Sequence, residues 1–300
     1  MRRAALTIVA LVLAGAVALV LESAVALQAQ QQVYRAEAAG VTVTVSVRNQ
    51  GKAVLNLSAD DFVLTDNGKA QQLSSVSVEA LPIDVTLLMD VSGSVSGARL
   101  ERLKYSVVET AKLLRPVDRV RLIAMHYELR QVFGYQAGGT RPPVEQLTAF
   151  GGTSLYDGLA AAMMRAEEPG RRQLIVASTD GDDTLSILPE SSVKEIAGYA
   201  DAVVHVVIPV VGGRNPKAAW TPATLTLNDV TQRTGGQLFW IDANATMSDA
   251  FAQAIEEFRT SYVLRYMPEG TLTPGWHEVN VSVKSGQYDV RARRGYSIRK

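Results

Sequence analysis

A doubly wound, mostly parallel α/β sheet, inserted in a small β-sandwich-like module formed by both chain ends, is the fold the sequence predicts. Three observations carry it. Within residues 82–260, runs such as Val85-Thr-Leu-Leu-Met89 and Leu174-Ile-Val-Ala177 are nearly all apolar, as in strands buried on both faces. These runs alternate with helical patterns, the order that builds a parallel sheet. Residues 41–81 and 261–300 instead alternate apolar and polar with period two and carry no helical pattern.

The elements follow in order. Arg2 and Arg3 precede an uncharged apolar run, Ala4–Leu21, followed by Glu22 and the small residues Ala24-Val25-Ala26. This is the order of a secretory signal, and the run is also long enough to span a bilayer. Residues 1–26 are therefore expected to be a signal peptide or an N-terminal anchor. Either places the rest of the chain outside the cytoplasm, secreted or periplasmic, or held at the inner membrane by residues 4–21. Residues 27–40, rich in Gln and Ala, read as a tether. Val41–Val47 alternates strictly, a short second strand is expected over Ala53–Leu57, and Asp61–Thr65 is a third. Asp66-Asn67-Gly68-Lys69 is a hairpin turn, because Asn-Gly suits positive φ. Gln72–Glu79 alternates again, and Pro82 marks the boundary.

After Val85–Met89 the pattern predicts a helix over Arg99–Leu114, a strand over Val120–Met125 and a strand over Arg130–Tyr135 pairing back beside it. Helices over Leu155–Glu168, Ser191–Ala200, Thr224–Thr234 and Met247–Arg259 alternate with strands over Gln173–Ala177, Val203–Val211 and Gly236–Ile241. Tyr262–Tyr266, Glu278–Val283 and Asp289–Ile298 are the closing strands. Forty residues at each end are few for a core of their own, so the two ends are expected to form one β module around the α/β unit.

Composition removes whole classes of function. Thirty basic residues balance thirty acidic ones, which argues against a nucleic-acid partner. The absence of cysteine excludes disulfides, zinc–thiolate and iron–sulfur sites, cysteine nucleophiles and lipoprotein anchoring. Three histidines, His126, His205 and His277, leave little for histidine chemistry. His205 falls in a buried strand and reads as a core residue.

The strongest chemical signal follows the first buried strand: Asp90-Val-Ser92-Gly-Ser94. Open α/β sheets bind ligands at the carboxyl ends of their strands. Two further loops reach the same edge, Gly151-Gly-Thr153-Ser154 and Thr179-Asp180-Gly181. Asp90, Ser92, Ser94, Thr153 and Asp180 form a hard, all-oxygen donor set, suited to Mg²⁺, Mn²⁺ or Ca²⁺.

In these residues the chain resembles the von Willebrand factor A family, whose metal-ion-dependent adhesion site has the pattern Asp-x-Ser-x-Ser, then Thr, then Asp. The resemblance covers about residues 83–260. The flanks are similar to a bacterial secreted subgroup found largely in acidobacteria, through Asp61–Gly68 and through Arg293-Arg294-Gly295-Tyr296. The resemblance implies a cation-dependent adhesion or protein-binding module, not an enzyme. Its metal would keep an open position for an Asp or Glu carboxylate of a protein partner. The alternative is a structural envelope protein whose metal only ties three loops together.

Weaker signals stay open. Asp157, Asp182 and Asp183 are candidates to accept from metal-bound water, or they cap turns and the first turn of a helix. Trp220, in the loop Gly212–Pro222, is a candidate partner contact or packs on the sheet. Arg291, Arg293 and Arg294 read as a basic cluster on a terminal edge strand. Asp90, His126 and Ser154 stand in the order of a subtilisin-like protease, but the residues around His126 and Ser154 lack that family's turns. Ser92 denies an Asp-x-Asp phosphatase, and there is no Walker-type loop.

Overall fold

The computed structural model describes residues 40–164, 168–209, 220–241, 246–269 and 273–299. The expected signal segment and tether and most of the Gly212–Pro222 loop lie outside them. Five strands come first: β1 (Val41–Asn49), β2 (Lys52–Ala53), β3 (Phe62–Asp66), β4 (Lys69–Ala70) and β5 (Leu73–Val78). Next are β6 (Ile83–Asp90), α1 (Ala98–Leu113), β7 (Arg119–Met125), β8 (Leu129–Ala137), α2 (Leu155–Met163) and β9 (Arg172–Ser178). They are followed by α3 (Glu190–Tyr199), β10 (Val203–Pro209), α4 (Pro222–Thr234), β11 (Leu238–Ile241) and α5 (Met247–Arg259). The last strands are β12 (Tyr262–Tyr266), β13 (Gly275–Val283), β14 (Asp289–Ala292) and β15 (Gly295–Ile298).

The central group forms a six-stranded sheet in the order β11-β10-β9-β6-β7-β8. Every pairing is parallel except β7 with β8, which return antiparallel at the edge. All eight residues of β6 are buried, which explains its continuous apolar character. Val85, Leu87 and Met89 share one core with Leu103 and Val107 of α1 and Phe251 and Phe258 of α5. Leu88 joins the opposite core, with Leu159 of α2, Val193 of α3 and Leu227 of α4. The mixed α/β architecture and parallel sheet are those predicted.

The flanking strands hydrogen-bond to one another across the sequence. One sheet runs β14-β1-β12-β5 with β2 beside β1, and another runs β15-β13-β3-β4. Most predicted boundaries shift by one to three residues, and three differences are larger. The second strand is only two residues, Lys52–Ala53. Helix α2 ends at Met163, short of Glu168, and Pro169-Gly170 then turns the chain into β9. The single strand expected over Asp289–Ile298 is two strands in different sheets: β14 pairs with β1, and β15 with β13.

The corner between β14 and β15 is Arg293, which is buried and donates to the carbonyls of Gly295 and Gly198. Arg291 forms ion pairs with Glu257 and Asp289. The expected edge cluster is therefore corrected: two of its three arginines hold the interior together. No helix among the described residues is long and apolar enough to cross a membrane.

Two positions are tight enough to test. A Cβ on Gly236 would lie 1.9 Å from the carbonyl oxygen of Val204, backbone that has no room to move. Gly236→Ala is expected to cost at least about 1–3 kcal/mol in urea unfolding. His205 is 1% exposed, and its Nδ1 accepts from the backbone N–H of Gln237 at 3.2 Å. Burial, aided by the Arg291 charge, pulls its pKa down to about 3. The unfolded chain then binds a proton that the folded state refuses. Stability is expected to fall by about 1.4 kcal/mol per unit as pH drops below the ordinary histidine value of about 6.5. Urea titrations at pH 7 and pH 5.5 should show a shallower loss in His205→Gln.

Candidate metal centre

The site is built at the carboxyl edge of the central sheet by three loops. Asp90 is the last residue of β6 and is 2% exposed. Its Oδ1 accepts from the backbone N–H of Ser92 at 2.8 Å, which curls the loop back over the strand end. The Ser92 and Ser94 hydroxyls then lie 3.1 Å apart. Ser94 donates to Oδ2 of Asp180 at 2.6 Å, joining the loop after β6 to the loop after β9. The Thr153 hydroxyl donates to Oδ2 of Asp90 at 3.5 Å. The structure thus brings all five predicted residues into one oxygen cluster, with Asp90, Ser92 and Thr153 buried and Ser94 and Asp180 exposed.

Backbone contacts lock the loops. Gly93 N–H donates to the Gly151 carbonyl at 2.9 Å, and Phe150 N–H to the Val91 carbonyl at 3.0 Å. Thr153 N–H donates to Thr184 Oγ1 at 2.8 Å, and Thr153 O accepts from the N–H groups of Thr184 and Leu185. Gly152 is required here, because a Cβ would lie 2.6 Å from that same Thr184 Oγ1.

Burial raises the Asp90 pKa, and the nearby Asp180 charge adds to it. Hydrogen bonds from Ser92 and Thr179 oppose the rise. A buried carboxylate beside a second one, with hydroxyls around both, is an environment that a divalent cation relieves. In an octahedral Mg²⁺ shell with bonds of about 2.1 Å, neighbouring oxygens lie about 3.0 Å apart. The Ser92–Ser94 separation of 3.1 Å is close to that spacing, and Asp90–Thr153 at 3.5 Å is longer. Among the described residues, no group of three or more His, Cys, Asp or Glu side chains is placed to hold a metal ion. The cluster reaches five donors only through its hydroxyls, the chemistry of a hard cation rather than zinc.

Other candidates have structural partners. Asp183 Oδ1 accepts from the N–H groups of Leu155 and Tyr156 at the start of α2 and from the Ser186 hydroxyl. Asp157 accepts from the N–H groups of Ile187 and Leu188 and so ties down the loop after β9. Asp182 is exposed. Trp220 is 42% exposed and meets Trp240 edge-on with centroids 5.9 Å apart. The Ser154 hydroxyl donates to the backbone carbonyl of His126 at 2.7 Å, not to its ring, so the ring is not placed as a base for it.

Sequence reasoning missed two features. Thr179 donates to Oδ2 of Asp90 at 3.0 Å, closer than Thr153 does. Its place directly before Asp180 was the available signal. Exposed apolar residues also lie on the loops around the site: Tyr127 against Gly151, Phe150 bonded to Val91, Leu185 bonded to Thr153, and, in the same loop as Leu185, Ile187 bonded to Asp157 and 91% exposed. Tyr127 and Phe150 touch, with centroids 5.2 Å apart, and a Cβ on Gly151 would reach the Tyr127 ring.

With a 12% identical structure, von Willebrand factor type A from Catenulispora acidiphila, the chain superposes at a TM-score of 0.50, covering 86% of this chain and 74% of that one. The fold is that of a von Willebrand factor A domain. The PilB minor pilin from Streptococcus sanguinis is also similar, at 15% identity and a TM-score of 0.46 over 60% of this chain and 62% of that one. By sequence, an uncharacterized protein of Synechocystis sp. is 29% identical over 109 residues, 34% of this chain. That stretch is 26% of the relative's length. No protein-family model matches the chain. In this chain the oxygen cluster lies at the carboxyl ends of β6 and β9, where an open α/β sheet presents its ligand crevice.

Proposed function

We propose that the protein is a divalent-cation-dependent protein-binding module of the cell envelope. Asp90, Ser92, Ser94, Thr153 and Asp180 would hold Mg²⁺, or Mn²⁺ or Ca²⁺ in its place. The observation that carries this reading is the meeting of these five oxygen-bearing side chains at one edge of the sheet, buried at Asp90 and open at Ser94 and Asp180. Two carboxylates balance a divalent cation without excess negative charge, so a partner's Asp or Glu carboxylate is a fitting further ligand. The exposed Tyr127, Phe150, Leu185 and Ile187 support a protein partner, since apolar surface bordering a polar centre is what interfaces use. The location outside the cytoplasm rests on the signal-like residues 1–26.

Mg²⁺ and Mn²⁺ titration calorimetry tests the cation. Saturable binding at one site, lost in Asp90→Ala, is expected. Capture of a partner from envelope extract should then require the cation. Ile187→Asp should lose capture while keeping cation binding. Capture unchanged by chelator, or by Asp90→Ala, would sink the adhesion reading. If Asp90→Ala lowered only the melting temperature, the structural alternative would stand.

A further inference from the structure

At the other end of the central sheet, a buried guanidinium has no hydrogen-bond partner among the described residues. Arg172 opens β9, at the strand end opposite Thr179 and Asp180. It is 8% exposed. Its Nη1 and Nη2 are both buried without a hydrogen-bond partner among the described residues. Arg48 and Arg130 each have one buried nitrogen without a hydrogen bond, but Arg48 is anchored through Nη1 and Nη2 and Arg130 through Nη2. The Arg172 guanidinium lies over Phe258 of α5, Cζ 4.2 Å from the ring centroid. Stacking fixes the plane of the fork and leaves its N–H edge unused.

That side chain lines a cavity of about 230 Å³, together with Thr42, Thr44, Glu79, Arg265 and Arg293. Thr42 and Thr44 are two apart on β1 and so share a face. Four guanidiniums line the cavity against two carboxylates, Glu79 and Asp201. The other three are occupied: Arg171 pairs with Asp84, Arg265 with Glu79 at 2.6 Å, and Arg293 with two backbone carbonyls. Burial pulls the Arg172 pKa down to about 10, with Glu79 opposing, so the group stays charged at neutral pH. A buried charge without a partner is costly, and a buried guanidinium fork matches two oxygens of one group.

We propose that this cavity is an oxyanion site, in which a phosphate or carboxylate group is held by the Nη1 and Nη2 donors of Arg172 beside Thr42 and Thr44. It lies apart from the oxygen cluster and does not depend on the cation. Titration calorimetry of the protein with inorganic phosphate and with succinate, in chelator and at constant ionic strength set by chloride, tests it. Saturable binding of one anion at one site is expected. Tighter phosphate identifies a phosphate group as the source, and tighter succinate a carboxylate.

Arg172→Gln should weaken binding at least about tenfold, the size of one lost hydrogen bond to a charged group. If Arg172→Gln does not fold, Arg172→Lys keeps the charge but loses the fork, and the same direction is expected. Asp90→Ala should leave anion binding unchanged, so failure of the cation reading and failure of this one are distinguishable. If neither anion saturates the folded protein, or if the folded Arg172 variant binds as tightly, the proposal is overturned.

Discussion

Asp118→Ala is expected to destabilise the protein by about 3–5 kcal/mol, the range for removing one partner of a buried ion pair. Asp118 is fully buried between α1 and β7. Its carboxylate accepts from the N–H of Ile83 at the start of β6 and from Arg115, through backbone and guanidinium. It also accepts from Arg259 at the end of α5, at 3.0 Å. One side chain thus fastens the central strand, the loop before β7 and the last helix of the α/β unit. Without it, donors already withdrawn from water have no acceptor, which is why the cost exceeds that of a surface pair.

Burial by itself would raise this carboxyl, but the Arg115 guanidinium, the two backbone N–H groups and Arg259 outweigh it and hold the pKa at about 2. The depressed value means that the stabilisation is complete above the ordinary value near 3.8. It is lost as pH falls from there through 2. Urea unfolding at neutral pH and at pH 3 should show the Asp118→Ala deficit shrinking by about 1 kcal/mol at the lower pH, the rest of the carboxylate's contribution going only as pH falls further through about 2. A neutral-pH deficit under about 1 kcal/mol would contradict the role given to this carboxylate.

A divalent cation at 100 times its dissociation constant is expected to add about 2.7 kcal/mol to the unfolding free energy, and Asp90→Asn to remove that response. The sign without the cation should be reversed. In chelator, Asp90 is a buried carboxylate beside Asp180, and its neutral isostere keeps the shape without the charge. Asp90→Asn is therefore expected to match or exceed the parent in chelator and to fall below it in Mg²⁺. Denaturant midpoints measured in both buffers give the crossing. A folded parent whose midpoint does not move up to about 10 mM cation, above the range of extracellular cation modules, would remove the metal from the site.

The parallel α/β unit was legible because its strands are buried on both faces. Val85–Met89 cannot alternate when each side meets a helix layer. Asp90, Ser92 and Ser94 were legible because they lie within five residues and directly after such a strand. Asp289–Ile298 was misread as one strand because period two says which face a residue takes, not which neighbour it pairs with. The break at Arg293 is made by contacts with Gly198, nearly one hundred residues away in sequence. The exposed apolar residues Tyr127, Phe150, Leu185 and Ile187 went unseen for a related reason. They come from three separate loops, Leu185 and Ile187 from one of them, with no regular element to mark them.

The sequence alone determined the chemical inventory, the strand-and-helix order and the oxygen donors. These follow from residue type and local spacing, which act over one turn or one strand. Tertiary structure decided which distant groups share a space. Thr179 reaches Asp90 before Thr153 does, and Asp118 binds both ends of the α/β unit. Arg172 is left without a hydrogen-bond partner among the described residues, while the guanidiniums around it find theirs. Those outcomes depend on desolvation and on distances of a few ångströms across the fold, and no local pattern encodes them.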